Sequence, residues 1–236
     1  MEELMNEQPN APMLPDRPQP MFQTWINAIT KPNEETYARI AASPEAKTST
    51  ALLWVFIASL IQSFVVFLMQ GVLMSQMMQG SGFENQMGTS LVSVLCGAPV
   101  AAAISVVLFA AFTGIIQWLA GLFGGRGSFE KLVYVLAAIT VPFTLISALL
   151  TLLSAIPFVG LCFGGLSLLA ALYVIVLQVM AVKAVNQFDW GKAAASLLLP
   201  FFGIFCCILA VVLGLASLLG PQLQEILDQI SPTFTP

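Results

Sequence analysis

Histidine is absent from this chain, which removes the commonest general base and the commonest metal ligand together. Charge is scarce too: Asp, Glu, Lys and Arg make up 8% of the residues, against about 25% in an ordinary soluble domain. The four cysteines, Cys96, Cys162, Cys206 and Cys207, lie inside apolar runs and form no CxxC pair. Neither a zinc site nor a disulfide framework is indicated, and buried free thiols are expected. No ionisable residue falls in the middle of an apolar run, so proton-coupled transport through a buried carboxylate has no candidate. Paired carboxylates, nucleophile elbows and metal-ligand clusters are missing as well. No catalytic, cofactor-binding or metal residue can be named, and no cofactor is expected. With a net charge of −4 and its acids mostly near the two ends, the chain offers no basic surface for nucleic acid.

What remains is hydrophobic: 58% of 236 residues, with a mean hydropathy of +0.90. This composition predicts an all-α, polytopic membrane protein, a five-helix transmembrane bundle with an N-terminal interfacial amphipathic helix. Residues 1–20 are acidic and proline-rich and read as a disordered tail. They lack the pattern of a cleaved signal peptide, so the first span is expected to direct insertion. Residues 21–47 are read as two cytoplasmic amphipathic helices. In MFQTWINAIT, Phe22, Trp25, Ile26 and Ile29 recur at i, i+3, i+4 and i+7, which places them on one helical face. That helix suits the membrane interface with Trp25 at headgroup level, or equally the underside of the bundle. Pro32 ends it, and Asn33 can cap a second helix carrying Glu34 and Glu35 in its first turn.

Residues 48–220 are read as the five-span domain and 221–236 as a polar tail. The first span begins near Thr48–Thr50. The second apolar region, from about Ser90 to Phe123, is too long for one straight helix. A short membrane-entering piece before Pro99 followed by a full span is expected, with one long kinked helix as the alternative. Ser128 is the candidate N-cap of the third span, with Glu130 complementing its positive end, and Pro142 is expected to kink it. Gly160 closes a tight turn before the fourth span. Asp189 can cap the fifth, which passes Pro200. Gln62, Gln117 and Gln178 lie at membrane depth and suit helix–helix contacts better than substrate binding.

The basic residues give the topology. Arg17, Lys31, Arg39 and Lys47 precede span one, Arg126 and Lys131 lie between spans two and three, and Lys183 and Lys192 flank the loop between four and five. The other connections carry none. With five spans this is the alternation of the positive-inside rule, with a cytoplasmic N-terminus and the C-terminus outside.

The stretch from Gly124 to Phe143, GGRGSFEKLVYVLAAITVPF, superficially suggests a phosphate loop. It follows no strand and has no GxxxxGK[ST] pattern, so a tight interhelical turn explains it better. Together with the lead-in FQTWINAITKPNEETYARIAASP, the turn IPFVG and the run LYVIVLQVMAVKAVNQFDWGKAAASLLLP, it resembles the Yip family. These are the Ypt/Rab-interacting multi-span membrane proteins, which also have many bacterial relatives. The resemblance covers about residues 22–218. It implies five helices, an N-terminus in the cytosol and, in eukaryotic members, vesicle traffic and contact with prenylated GTPases. The tyrosine-glycine-proline motif of those members is missing from residues 1–50. That counts against GTPase binding and for a relative in a prokaryotic plasma membrane.

Two readings follow. The first is a non-enzymatic membrane scaffold or trafficking-type adaptor whose partners are the bilayer, other membrane proteins or itself. Its cytoplasmic face would present Trp25, Arg126, Glu130, Lys131, Asp189, Trp190 and Lys192, residues that otherwise serve to anchor helix ends. The second is a small transporter or channel subunit with a site built around spans broken at Pro99, Pro142 and Pro200.

Overall fold

The computed structural model describes the backbone of residues 20–77, 86–153 and 159–230, and the side chains of 20–71, 94–153, 165–214 and 217. The expected tail at 1–19, the linker at 78–85, the turn at 154–158 and residues 231–236 lie outside these ranges.

Among the described residues there are seven helices and no strands: α1 (Met21–Thr30), α2 (Glu34–Ala41), α3 (Thr48–Met77), α4 (Gln86–Leu122), α5 (Phe129–Leu153), α6 (Val159–Asn186) and α7 (Trp190–Ile230). Within α3 to α7, five stretches are long and apolar enough to cross a membrane.

Local chemistry sets several helix starts. The Pro20 carbonyl receives the N–H groups of Gln23 and Thr24, at 2.8 and 3.2 Å, and opens α1. Asn33 Oδ1 accepts from Thr36 N at 2.6 Å and caps α2, as its position predicts. Ser128 Oγ likewise accepts from Lys131 N at 3.4 Å at the start of α5. At the start of α3, Thr48 N donates to Glu130 Oε1, 3.4 Å away on α5. Glu130 thus places its charge at two helix N-termini, where the helix dipole favours an anion.

The prolines do not divide the spans. α4 runs unbroken through Pro99, so the piece expected to stand apart before it is the first part of the same helix. α5 runs through Pro142, and α7 through Pro200 and on to Ile230. A proline removes one backbone hydrogen bond, and in an apolar surrounding without water the remaining backbone groups are best satisfied by keeping the rest of the helical ladder.

At the centre stands α5. Every residue from Leu132 to Ile139 is buried, because α3, α4 and α6 surround this half and α1 and α2 cover what remains. A helix apolar on all sides requires such wrapping. α7 is the contrasting case. It rests on α4 and α6 through its first turns, where Ala193, Ser196 and Leu197 are buried, and from Phe201 to Gly214 it is exposed. Cys96, Cys206 and Cys207 are exposed as well. The expectation of buried thiols is therefore corrected for these three: on a lipid-facing surface an apolar neighbourhood does not require an interior position.

The helix α1 packs on the bundle through Thr24, Trp25 and Ala28. The Trp25 ring lies 5.5 Å from Trp54, edge to face, and Trp54 lies 5.0 Å from Tyr134. These three aromatics join α1, α3 and α5.

Candidate functional site

All charged side chains that the structure describes gather at one end of the bundle. Contacts between helix ends define it: Thr48 N with Glu130, Arg126 N with Asn186 O at 3.1 Å, and the Glu34–Lys183 ion pair. The N-termini of α3, α5 and α7 and the C-termini of α4 and α6 meet here, beside the α1–α2 hairpin. The opposite arrangement would leave ionised groups in hydrocarbon, at a cost of a few kcal/mol each.

The glycine turn between α4 and α5 is held from the far side of the bundle. Asn186, fully buried at the end of α6, accepts on Oδ1 from Gly127 N at 3.2 Å and from Gln117 Nε2 at 3.1 Å. Its Nδ2 donates to Val182 O at 3.1 Å. Gln117 also donates to Gly127 O at 2.7 Å. Glycine is required at two positions by this approach. A Cβ at Gly125 would meet Asn186 Oδ1 at 2.7 Å and Ala120 O at 2.9 Å; one at Gly127 would meet Asn186 Oδ1 at 2.7 Å and Val185 O at 2.8 Å. The turn is a structural clasp, in agreement with the rejection of a phosphate loop.

A second group of contacts holds the hairpin. The carbonyls at the end of α1 accept bonds from three elements: Asn27 O from Lys31 N at 3.1 Å, Ala28 O from Tyr37 OH at 2.8 Å, and Ile29 O from Tyr173 OH at 2.8 Å. Tyr37 is buried, and burial, with a smaller contribution from nearby Tyr173, pushes its hydroxyl well above the usual tyrosine range. Glu34 reaches Lys183, whose ammonium also lies 4.8 Å from the centre of the Trp190 ring. Between α2 and the α6–α7 turn, a groove of about 470 Å³ is lined in part by Glu34, Glu35, Lys183, Gln187 and Asp189. Gln187 adopts a positive φ of 55° there.

Of the residues expected to form one face, Arg126, Glu130, Lys131, Asp189, Trp190 and Lys192 are exposed at this end. Trp25 is not: at 9% exposure it lies beneath the hairpin against Trp54. Asp189 closes the α6–α7 turn through its backbone carbonyl, which accepts from Ala193 N at 3.0 Å. Gln117 and Gln178 do link elements, the latter reaching Thr140 Oγ1 at 3.5 Å.

Sequence reasoning passed over Tyr37, Tyr173 and Asn186. Nothing local marks the tyrosines, because Tyr173 meets its partner 144 residues away. Asn186 sits in what reads as a solvated loop. The one available signal was the paired glycines, Gly125 and Gly127, which announce that another group comes close.

The composition and fold define a multi-pass α-helical integral membrane protein. A model of the Yip1 domain matches residues 26–213. The chain belongs to the Yip1 domain family, as the glycine-turn segment and the order of the spans suggested. No curated protein and no solved structure matches it.

Proposed function

We propose that this Yip-family protein is a non-enzymatic membrane scaffold or trafficking-type adaptor that works through its charged end, with that end and the N-terminus in the cytoplasm and the C-terminus outside. The supporting observation is the segregation of charge. Arg126, Glu130, Lys131, Asp189, Trp190 and Lys192 are exposed together where all the other described charges lie. Trp25 supports this face from below. Among the described residues, the ion pairs at this end are Arg39–Glu35 and Lys183–Glu34, whereas Arg126, Lys131 and Lys192 are exposed. Their charge is available to a partner, which is a membrane protein or a second copy of this chain. Helices that continue through Pro99, Pro142 and Pro200 favour this reading over a transporter built on broken spans.

The test is crosslinking in native membranes followed by mass spectrometry, comparing the wild type with an Arg126→Glu, Lys131→Glu, Lys192→Glu variant. A defined set of crosslinked membrane proteins, lost in the variant, is expected. Solute-specific flux in proteoliposomes, or an unchanged crosslink set, would sink the reading.

A further inference from the structure

We propose that α1 is seated in the membrane leaflet at the charged end, with Phe22, Ile26 and Ile29 packed against lipid acyl chains. The helix has three distinct faces. Thr24, Trp25 and Ala28 are buried on the bundle. Phe22, whose ring lies 5.3 Å from that of Trp25, edge to face, and Ile26 are 65% and 58% exposed beside it and are joined by half-buried Ile29. This set recurs at i, i+4 and i+7, so it forms one continuous apolar flank. Gln23, Asn27 and Thr30 form the third face, which is polar and at most half-buried. A helix surrounded by water would have no use for an apolar flank beside an already satisfied packing face. A helix at the boundary of protein, lipid and water needs all three.

Depth supports the same placement. Trp25 meets Trp54, inside the first candidate span, Thr48–Gly71. The exposed residues flanking that contact on α3, Leu53 and Ile57, belong to the surface that such a span turns to lipid. At its other end α1 is bonded through Ile29 O to Tyr173. The distance from position 173 to Lys183, the charged residue of α6, is about 15 Å at 1.5 Å per residue. Lys31, which follows α1 directly, is exposed, so the end of α1 lies at the boundary between the apolar spans and the charged end.

The helix end also carries the chemistry that such a position demands. In water the last carbonyls of a helix are satisfied by solvent; in hydrocarbon each must find a partner within the protein. Here the Asn27, Ala28 and Ile29 carbonyls accept from Lys31 N, Tyr37 OH and Tyr173 OH. Thr30 Oγ1 folds back onto Ile26 O at 2.7 Å. Two tyrosines from different helices thus take the place that water would hold on the Ala28 and Ile29 carbonyls. The acyl-chain surface that covers the neighbouring spans continues across Phe22 and Ile26, and lipid is the occupant of that flank.

Spin labels test this in the full-length protein reconstituted in phosphatidylcholine–phosphatidylglycerol vesicles, with the four native cysteines replaced by alanine. Labels are placed singly through Phe22→Cys, Ile26→Cys and Gln23→Cys, with Leu53→Cys as the lipid control and Glu35→Cys as the water control. Collisional relaxation by oxygen is compared with relaxation by a water-soluble nickel chelate. Positions 22 and 26 are expected to favour oxygen several-fold, as position 53 does, while positions 23 and 35 favour nickel. Nickel access at 22 and 26 equal to that at 35 would overturn the proposal. So would shielding from both reagents, which would mean that protein covers this flank. Neither result bears on whether the charged end recruits a partner, so this proposal and the scaffold reading fail separately.

Discussion

The Asn186 side-chain oxygen lies 3.2 Å from the Gly127 backbone nitrogen, joining positions 59 residues apart. One buried amide thereby fixes the turn between α4 and α5 to the end of α6. An Asn186→Ala substitution would leave Gly127 N without this acceptor, and would deprive Gln117 of one of its two partners. Each buried polar group so orphaned costs about 1–3 kcal/mol. A loss of about 2–3 kcal/mol is expected in reversible unfolding with a denaturing detergent, and Gln117→Ala should cost less.

The glycines of the same turn should rank by what surrounds them. Gly125→Ala and Gly127→Ala drive a methyl into Asn186 and into backbone oxygens, and forced overpacking of this kind costs about 1–3 kcal/mol. Gly124 has open space around it but a φ of +86°, so alanine there meets backbone strain alone. Gly121 has neither restriction, and Gly121→Ala should be neutral or slightly stabilising. Thermal denaturation of the four variants in one detergent checks the order; equal effects at positions 121 and 127 would refute the clasp.

The Glu34–Lys183 pair ties the hairpin to α6, with side-chain exposures of 52% and 18%. Half of the pair faces solvent, so its coupling is expected at about 0.5–1 kcal/mol and should fall with salt. A double-mutant cycle of Glu34→Gln and Lys183→Met measures it. Lys183→Met should cost more than Glu34→Gln, because the ammonium also lies over Trp190.

Alkaline conditions should release the hairpin before the bundle. The Tyr37 hydroxyl is held above the ordinary tyrosine value of 10.0, chiefly by burial. A folded-state pKa above the unfolded one means that the folded form retains the proton. The stabilisation is complete below about pH 10 and disappears as pH rises toward the folded value. Quenching of Trp25 fluorescence by acrylamide, which needs the hairpin to open, should therefore increase above about pH 10. In Tyr37→Phe, quenching should be stronger at neutral pH, since Ala28 O loses its donor, and the part of the alkaline rise due to this residue should vanish.

Residues that act on their own neighbourhood were legible from the sequence. Asn33 and Ser128 cap the helices they precede, because a cap needs only the next three residues. Apolar length alone gave the spans. Pro99 misled, since a proline states which backbone bond is lost but not whether the helix stops there. Trp25 was open to two placements because a tryptophan with a polar edge suits the headgroup region and a packed aromatic cluster equally well. Tyr37, Tyr173 and Asn186 were out of reach for a different reason: their roles lie in carbonyls and amides of distant segments, and backbone groups carry no sequence signature.

The wrapping of α5 has a consequence for how this chain tolerates change. From Leu132 to Ile139 the helix has no position facing outward, so in the finished protein this segment does not touch lipid. Its apolar character satisfies the insertion step, whereas its side-chain sizes satisfy the surrounding helices. The two requirements are separable. Enlarging Ala137 or Ala138 to leucine would make the segment enter the bilayer more readily and the assembled bundle close less well. Along this half of α5 volume, not polarity, is what the fold measures.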